Sequence, residues 1–226
     1  MSDLRLVIFD VDGTLVDSQA DILAAMGRAF GEVNQPAPSR DDILGIVGLS
    51  LEVAMPRLAP GLPPETYAQM VDGYKNSYVK LRAASGAAKS SPLYPNVRAV
   101  LDQLHAVPET LLGVATGKSR RGLDKLLQGH DLHSYFVTQQ VSDHHPSKPH
   151  PSMIETALSE TGVDPRHAVM VGDTSFDMDM ARAAGIAAIG VSWGYHPVDH
   201  LGAANQVIDD IRSLPALLST LWETAS

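Results

Sequence analysis

The chain has 226 residues, 44% of them hydrophobic and 19% charged, with a formal net charge of -9 and no cysteine. That length buries a sizeable core as one large domain or two unequal ones; the acidic field disfavours nucleic acid as a partner, and the missing cysteines exclude disulfides and thiolate metal sites. No stretch reaches the roughly 20 apolar residues of a membrane span, and Met1 to Asp10 has neither a basic leader nor a small-residue cleavage site, so a cytoplasmic protein without a membrane partner is expected.

In chain order, Leu4 to Phe9 is apolar apart from Arg5, rich in branched residues and closed by Asp-Val-Asp-Gly, and reads as a strand buried on both faces. Ser18 to Leu81 shows helical periodicity instead. Ser18 and Asp21 make a capping-box start before Ile22, Leu23, Met26 and Phe30, and Ser39 with Asp42 repeats that signal. After a break or kink at Pro56, Tyr67, Met70, Val71, Tyr74, Tyr78 and Leu81 continue the spacing, a stripe best read as core. The small residues from Ala83 to Ser91 read as a linker. Strand-like runs then recur at Leu111 to Ala115, Ala168 to Val171 and Ala187 to Val191, alternating with helical patterns at Val97 to Leu104, Arg120 to Leu127, Met153 to Leu158 and Asp177 to Ala184. This alternation predicts a doubly wound, Rossmann-like α/β core with a parallel sheet, whose ligands lie at the carboxyl ends of the strands. A helical cap, residues 17–89, is inserted into a core made of residues 1–16 and 90–226.

Asp10-Val11-Asp12-Gly13-Thr14 places two carboxylates at the end of the first strand. Alone, the same residues fit a hairpin turn; a calcium loop fits less well, because its glycine is the sixth residue and Gly13 is the fourth. A second pair, Asp173 and Asp177, follows the run Ala168 to Val171. Asp173 also suits a helix cap, but carboxylates converging from two strand ends repel each other unless a cation sits between them, and hard oxygen ligands favour magnesium. Thr116-Gly117-Lys118 offers a hydroxyl, a glycine N–H and a helix start beyond it, and Lys148 sits in a proline-stiffened loop. Either lysine could be a surface cation; for Lys118 the two readings weigh equally, and Lys148 is the better candidate. His144, His145 and His150 lack a complete ligand set, and Trp193 and Trp222 read as core aromatics.

Four features, Asp10-Val11-Asp12-Gly13-Thr14-Leu15, Thr116, Lys148-Pro149 and Gly172-Asp173 with Asp177, occur together in an order and spacing that resembles the haloacid dehalogenase superfamily, in its phosphoglycolate-phosphatase-like branch with a helical cap after the first motif. Leu93-Tyr94-Pro95 and Trp193-Gly194-Tyr195 resemble the same branch. The resemblance implies Asp10 as nucleophile and Asp12 as general acid and then base. It implies Thr116, Gly117 and Lys148 on the phosphoryl oxygens, and Mg2+ held by Asp10, the backbone carbonyl of Asp12, and Asp173. Asp177 would orient Lys148 or a metal-bound water. Relatives often carry asparagine where this chain has Gly117.

The implied activity is hydrolysis of a small phosphorylated metabolite through an aspartyl phosphate. A sugar-phosphate mutase would use the same intermediate, and a silent scaffold could keep the fold. A dehalogenase would not need Asp12, because halide leaves without a proton. A phosphonate hydrolase would want a Schiff-base lysine from the cap, for which Lys75 and Lys80 make no case. Gly45 to Ser50 is the candidate loop facing the site, and Arg82 a candidate contact for a carboxylate.

Overall fold

Residues 4–225 are described by a computed structural model of the chain. Six strands form one parallel sheet: β1 (Arg5–Phe9), β2 (Thr110–Thr116), β3 (Phe136–Val141), β4 (Ala168–Gly172), β5 (Ala187–Val191) and β6 (Gln206–Ile208), in the order β3-β2-β1-β4-β5-β6. The helices in chain order are α1 (Gln19–Glu32), α2 (Arg40–Leu44), α3 (Leu51–Leu58), α4 (Pro64–Ser85), α5 (Ala87–Ser90), α6 (Val97–His105), α7 (Arg120–Gly129), α8 (Ser152–Thr161), α9 (Ser175–Ala184) and α10 (Leu214–Ala225). No described helix is long and apolar enough to cross a membrane.

The central strand shows why the sheet is covered on both sides. Val7 and Phe9 point into one apolar cluster with α6, α7 and α10, while Leu6 and Ile8 point into another with α8 and α9, so the period-2 alternation of a strand finds a helix layer on each face. The chain leaves β1 to build β2 and β3 on one side, then returns to lay β4 on the other. The carboxyl ends of β1 and β4 therefore flank the point where strand order reverses, which is where open α/β sheets bind ligands. The expected doubly wound core is present. The edge strands β3 and β6 escape sequence reading because they are polar or short: Thr138, Gln139 and Gln140 interrupt the first, and the second has three residues.

Between β1 and β2 the helices α1 to α4 enclose their own cluster, including Ile22, Met26, Phe30, Leu44, Met55, Met70 and Val71. Ser39 caps α2 by accepting from the Asp42 N–H at 3.1 Å. Pro56 lies within α3, which ends two residues later, and Pro64 opens α4 at a position where no N–H is needed. Two expectations are corrected. Ser18 stands at the N-terminus of α1 but makes no side-chain capping bond; its hydroxyl goes to Asp12 and Asp21 accepts from Ser90 instead, because the buried carboxylate takes the hydroxyl. The segment Ala83 to Ser91 is largely helical, broken at Gly86 with φ 80°, since alanine, although small, is the strongest helix former.

Candidate active site

Asp10 and Asp12 extend from the end of β1, and the chain between Asp12 and Val16 folds back on itself, with Gly13 N–H donating to the Val16 carbonyl at 2.9 Å and Gly13 at φ 87°. The Asp-Gly pair is thus no hairpin between neighbouring strands: β1 pairs only with β2 and β4, both parallel. Asp173 follows β4 and reaches the same place. A Cβ at Gly13 would lie 2.2 Å from its Oδ2, and one at Gly194 would lie 2.1 Å from its Cβ, so both glycines are required for this close approach. Its oxygens accept from Thr14 Oγ1 at 2.7 Å and from the Tyr195 N–H at 2.8 Å.

Asp177 sits in the first turn of α9 in a reciprocal capping box with Thr174, whose N–H and hydroxyl both donate to Asp177 Oδ2. Its other oxygen accepts from Lys148 Nζ at 2.6 Å, and Lys148 also lies 2.9 Å from Asp10 Oδ1. The helix cap expected at Asp173 is therefore supplied by Thr174 and Asp177, which leaves Asp173 aimed into the site. Lys148 is fully enclosed. Burial alone would discharge it, but Asp10 and Asp177 hold its ammonium above the ordinary lysine range.

Asp10, Asp173 and Asp177 bring carboxylate oxygens within 4.8 Å of one another, all buried. Burial, opposed by Lys148 and reinforced by Asp177, pushes the Asp10 carboxyl up to about 7. Burial and then the charges of Asp10 and Asp177 raise Asp173 well above the carboxylate range. Apart from its ion pair with Lys148, neither Asp10 oxygen accepts a hydrogen bond. Three buried carboxylates, two of them paired with one ammonium and one of these, Asp10, with no other partner for its oxygens, form a donor set of hard oxygens that fits a small divalent cation.

On the opposite side, Thr116 ends β2, buried, and its Oγ1 accepts from the Lys118 N–H at 3.2 Å. Lys118 is not a surface cation: its Nζ lies 2.8 Å from Asp12 Oδ1 and 3.3 Å from the Tyr78 hydroxyl, and burial, which works against the charge, is outweighed by Asp12. The Ser18 hydroxyl donates to the same Asp12 oxygen, and the Tyr195 hydroxyl accepts from the Ser18 N–H at 3.0 Å. Sequence reading did not find Thr14 or Tyr78 as site residues, because their partners Asp173 and Lys118 lie far away in the chain, nor Ser18, whose partner Asp12 is only six residues back but whose local pattern reads as a helix cap; Tyr195 at least falls in a segment singled out by resemblance.

The segment between β1 and β2 covers this floor. The loop Gly45 to Ser50 descends onto the core: Ser50 N–H donates to Ser147 Oγ at 2.9 Å, the Gly45 carbonyl faces His196 Nε2 at 3.1 Å, and a Cβ at residue 117 would meet the Gly48 carbonyl oxygen at 2.6 Å. A cavity of about 730 Å³ remains between the layers, reaching Asp10, Asp12, Thr116, Gly117 and Lys118. Of the loop histidines, His145 bridges Ser152 Oγ and Gln140 Oε1 at 2.8 and 2.9 Å, and His150 Nδ1 accepts from the Ser152 N–H at 3.2 Å. Trp222 is buried in the core and Trp193 packs against it, its Nε1–H donating to the Thr14 carbonyl at 3.2 Å.

A sequence model of the haloacid dehalogenase-like hydrolases matches residues 7–191. The "Probable phosphatase IndB" of Dickeya dadantii (strain 3937) is 40% identical over 211 residues, which cover 91% of this chain and 89% of that protein. A phosphoglycolate phosphatase of Vibrio cholerae is 30% identical over 224 residues, 95% of this chain and 96% of the relative. Among solved structures, a haloacid dehalogenase-like family hydrolase from Streptococcus pneumoniae superposes with a TM-score of 0.81 at 27% identity, covering 96% of this chain and 99% of that one.

Proposed function

The chain belongs to the haloacid dehalogenase-like hydrolase family, and from that premise we propose that it is a magnesium-dependent phosphatase hydrolysing small phosphomonoesters, phosphoglycolate-phosphatase-like in kind, through a phosphoryl group carried on Asp10. The observation that carries the reading is the buried cluster of Asp10, Asp173 and Asp177, in which, among the described residues, the Asp10 oxygens meet the Lys148 ammonium and accept no other hydrogen bond. The side chains of Asp10 and Asp173 and the backbone carbonyl of Asp12 would hold magnesium. Bound there, it supplies neutralisation of the charge that otherwise keeps an anionic nucleophile from an anionic ester. Asp177, both of whose oxygens are engaged by Lys148 and Thr174, orients the lysine.

In the first half-reaction an Asp10 oxygen bonds to phosphorus as the ester P–O bond breaks, and Asp12 gives its proton to the departing alkoxide. In the second, water bonds to phosphorus, Asp12 takes a proton from it, and the Asp10–phosphorus bond breaks to release inorganic phosphate. Thr116 Oγ1 and the Gly117 N–H, at the end of β2, serve the phosphoryl oxygens together with Lys148. Ser18 and Lys118 hold Asp12 by one oxygen, which fixes where the proton is given and returned.

The two carboxylates of the first motif are separable by experiment. With an aryl phosphate, whose leaving group needs little protonation, Asp12→Asn should accumulate phosphoenzyme detectable by rapid-quench mass spectrometry, while Asp10→Asn should form none. A phosphoenzyme in Asp10→Asn, or unchanged steady turnover in Asp12→Asn, reverses the assignment. Calcium, which accepts more ligands at longer distances, should suppress turnover that magnesium supports; equal rates with the two ions, or full activity in chelator, would remove the metal from the mechanism.

A further inference from the structure

The loop that follows β5 reaches the site from outside its motifs. Trp193 Nε1–H donates to the Thr14 carbonyl and the Tyr195 N–H to the Asp173 carboxylate. The next residue, His196, is only 6% exposed. A buried imidazole is tolerated when both of its nitrogens find partners, and here the partners come from separate parts of the chain. Nδ1 accepts from the Ser175 N–H at 3.2 Å and lies 3.4 Å from the Ser175 hydroxyl, while Nε2 is 3.1 Å from the Gly45 carbonyl.

Those partners fix the tautomer. A backbone N–H only donates and a carbonyl only accepts, so Nδ1 is bare and the ring proton sits on Nε2. Ser175 is the first residue of α9, and its N–H belongs to the turn that has no acceptor within its own helix. One ring therefore completes the start of α9 and reaches the loop between α2 and α3. The surroundings reinforce the joint: Phe176 meets the imidazole edge-on with centroids 5.2 Å apart, and the Arg57 guanidinium of α3 lies 5.8 Å from the centroid of the Phe176 ring. A Cβ at Gly48 would stand 3.4 Å from Thr174 Oγ1 and 3.7 Å from the Phe176 ring. The loop Gly45 to Ser50 thus rests on the first turn of α9, which begins between Asp173 and Asp177, and its far end donates from the Ser50 N–H to Ser147, the neighbour of Lys148.

We propose that His196 is a positioning residue: as the Nε2–H tautomer it ties the Gly45 end of this loop to the first turn of α9, while Ser147 holds the Ser50 end, so that the loop seats in register with Asp173, Asp177 and Lys148. The proposal rests on the phosphatase reading only for what that seating serves.

Its test reads the fastening directly and needs no turnover. In His196→Asn the amide oxygen can stand where Nδ1 stands, but the side chain stops short of Gly45; in His196→Gln an amide N–H can take the place of Nε2–H. Amide exchange at Ile46 to Ser50 should become at least about tenfold faster in His196→Asn, as loss of one buried hydrogen bond implies, and stay near the intact rate in His196→Gln. No acceleration in His196→Asn, the same acceleration in both variants, or one shared equally by β1 and β4 overturns the proposal. Should His196→Asn fail to fold, nitrogen-15 spectra of the intact chain decide: His196 should show a protonated Nε2 and a bare Nδ1 at neutral pH, and an Nδ1–H ring or an imidazolium overturns the proposal. If the exchange pattern appears in a chain that hydrolyses no phosphomonoester, the fastening stands and the phosphatase reading fails; if it is missing while aryl phosphates are turned over, the phosphatase reading stands and the fastening fails.

Discussion

Asp10 is a carboxyl group that burial lifts to about 7 against the pull of Lys148, so the metal-free fold resists its ionisation. A folded-state value above the unfolded 3.8 means that the group's stabilising contribution is fully present below the unfolded value and is lost as pH rises through about 7. A cation that needs ionised oxygens competes with the proton at low pH and relieves the buried charge at high pH. Magnesium at about a hundred times its dissociation constant should therefore raise the melting temperature by roughly 5–10 °C at pH 8, and by clearly less at pH 6. Asp10→Asn should flatten that difference, and an equal increment at both pH values in the intact chain would show that Asp10 is not the ligand. At this scale the convergence of Asp10, Asp12, Asp173, Asp177 and Thr116 was legible because each belongs to a short motif at a strand end, and Lys148 because proline stiffens the loop that carries it. Lys118 was legible only as one of two equal readings, since nothing in Thr-Gly-Lys says that the ammonium folds back onto Asp12. Ser18 was misread as a cap because a local pattern cannot reveal a buried acceptor that claims its hydroxyl.

The joint between β2 and α7 meets the loop between α2 and α3 at Gly117. A Cβ there would come within 2.6 Å of the Gly48 carbonyl oxygen and 2.9 Å of the Leu49 carbonyl oxygen, both backbone atoms with little room to move. The space that a side chain at residue 117 would take is filled by the descending loop. Gly117→Ala should push that loop off the core at a cost of about 1–3 kcal/mol, seen as faster amide exchange at Ile46 to Ser50 with unchanged protection in β1 and β4. Unaltered exchange across the loop would mean that it does not rest on Gly117 in solution. The elements were legible where physics acts locally. β1, β2, β4 and β5 announce themselves by being apolar on both faces, whereas β3 carries Thr138, Gln139 and Gln140 and is recognisable only once β2 is beside it. The Ala83 to Ser91 segment misled because small residues punctuate loops when they are glycine and build helices when they are alanine.

At the scale of the whole molecule, the two crossings between core and cap run side by side. Val16 bridges Leu93 in antiparallel register, Asp17 N–H donates to the Pro92 carbonyl at 2.9 Å, and Tyr94 N–H donates to the Leu15 carbonyl at 3.0 Å. Ser90 is bonded to Asp21 of the cap helix α1, while the Ser91 carbonyl faces His130 of the core at 2.8 Å. The step from cap to core thus falls near Ser91, at one end of the segment first read as a linker, with its partner at Val16 to Ser18. Among the described residues the polar contacts across this boundary include Ser50 to Ser147, Arg82 to Gly122, Lys118 to Tyr78 and His196 to Gly45; a cap that excludes water during phosphoryl transfer would break them to release product. The chain contains no cysteine, so pairs of introduced cysteines can be spin-labelled without background. Labels at Arg28→Cys and Gln103→Cys, both exposed, one on α1 and one on α6, should give a broad distance distribution in the free protein that narrows on adding magnesium and a phosphonate. A pair within the cap, Arg28→Cys with Gln69→Cys, should give one narrow distance throughout, because α1 and α4 share the apolar cluster of Met26, Phe30 and Met70. A cap-to-core distance that stays fixed in all conditions, or a within-cap distance that changes as much as the cap-to-core one, would replace the picture of a rigid cap turning on two adjacent crossings.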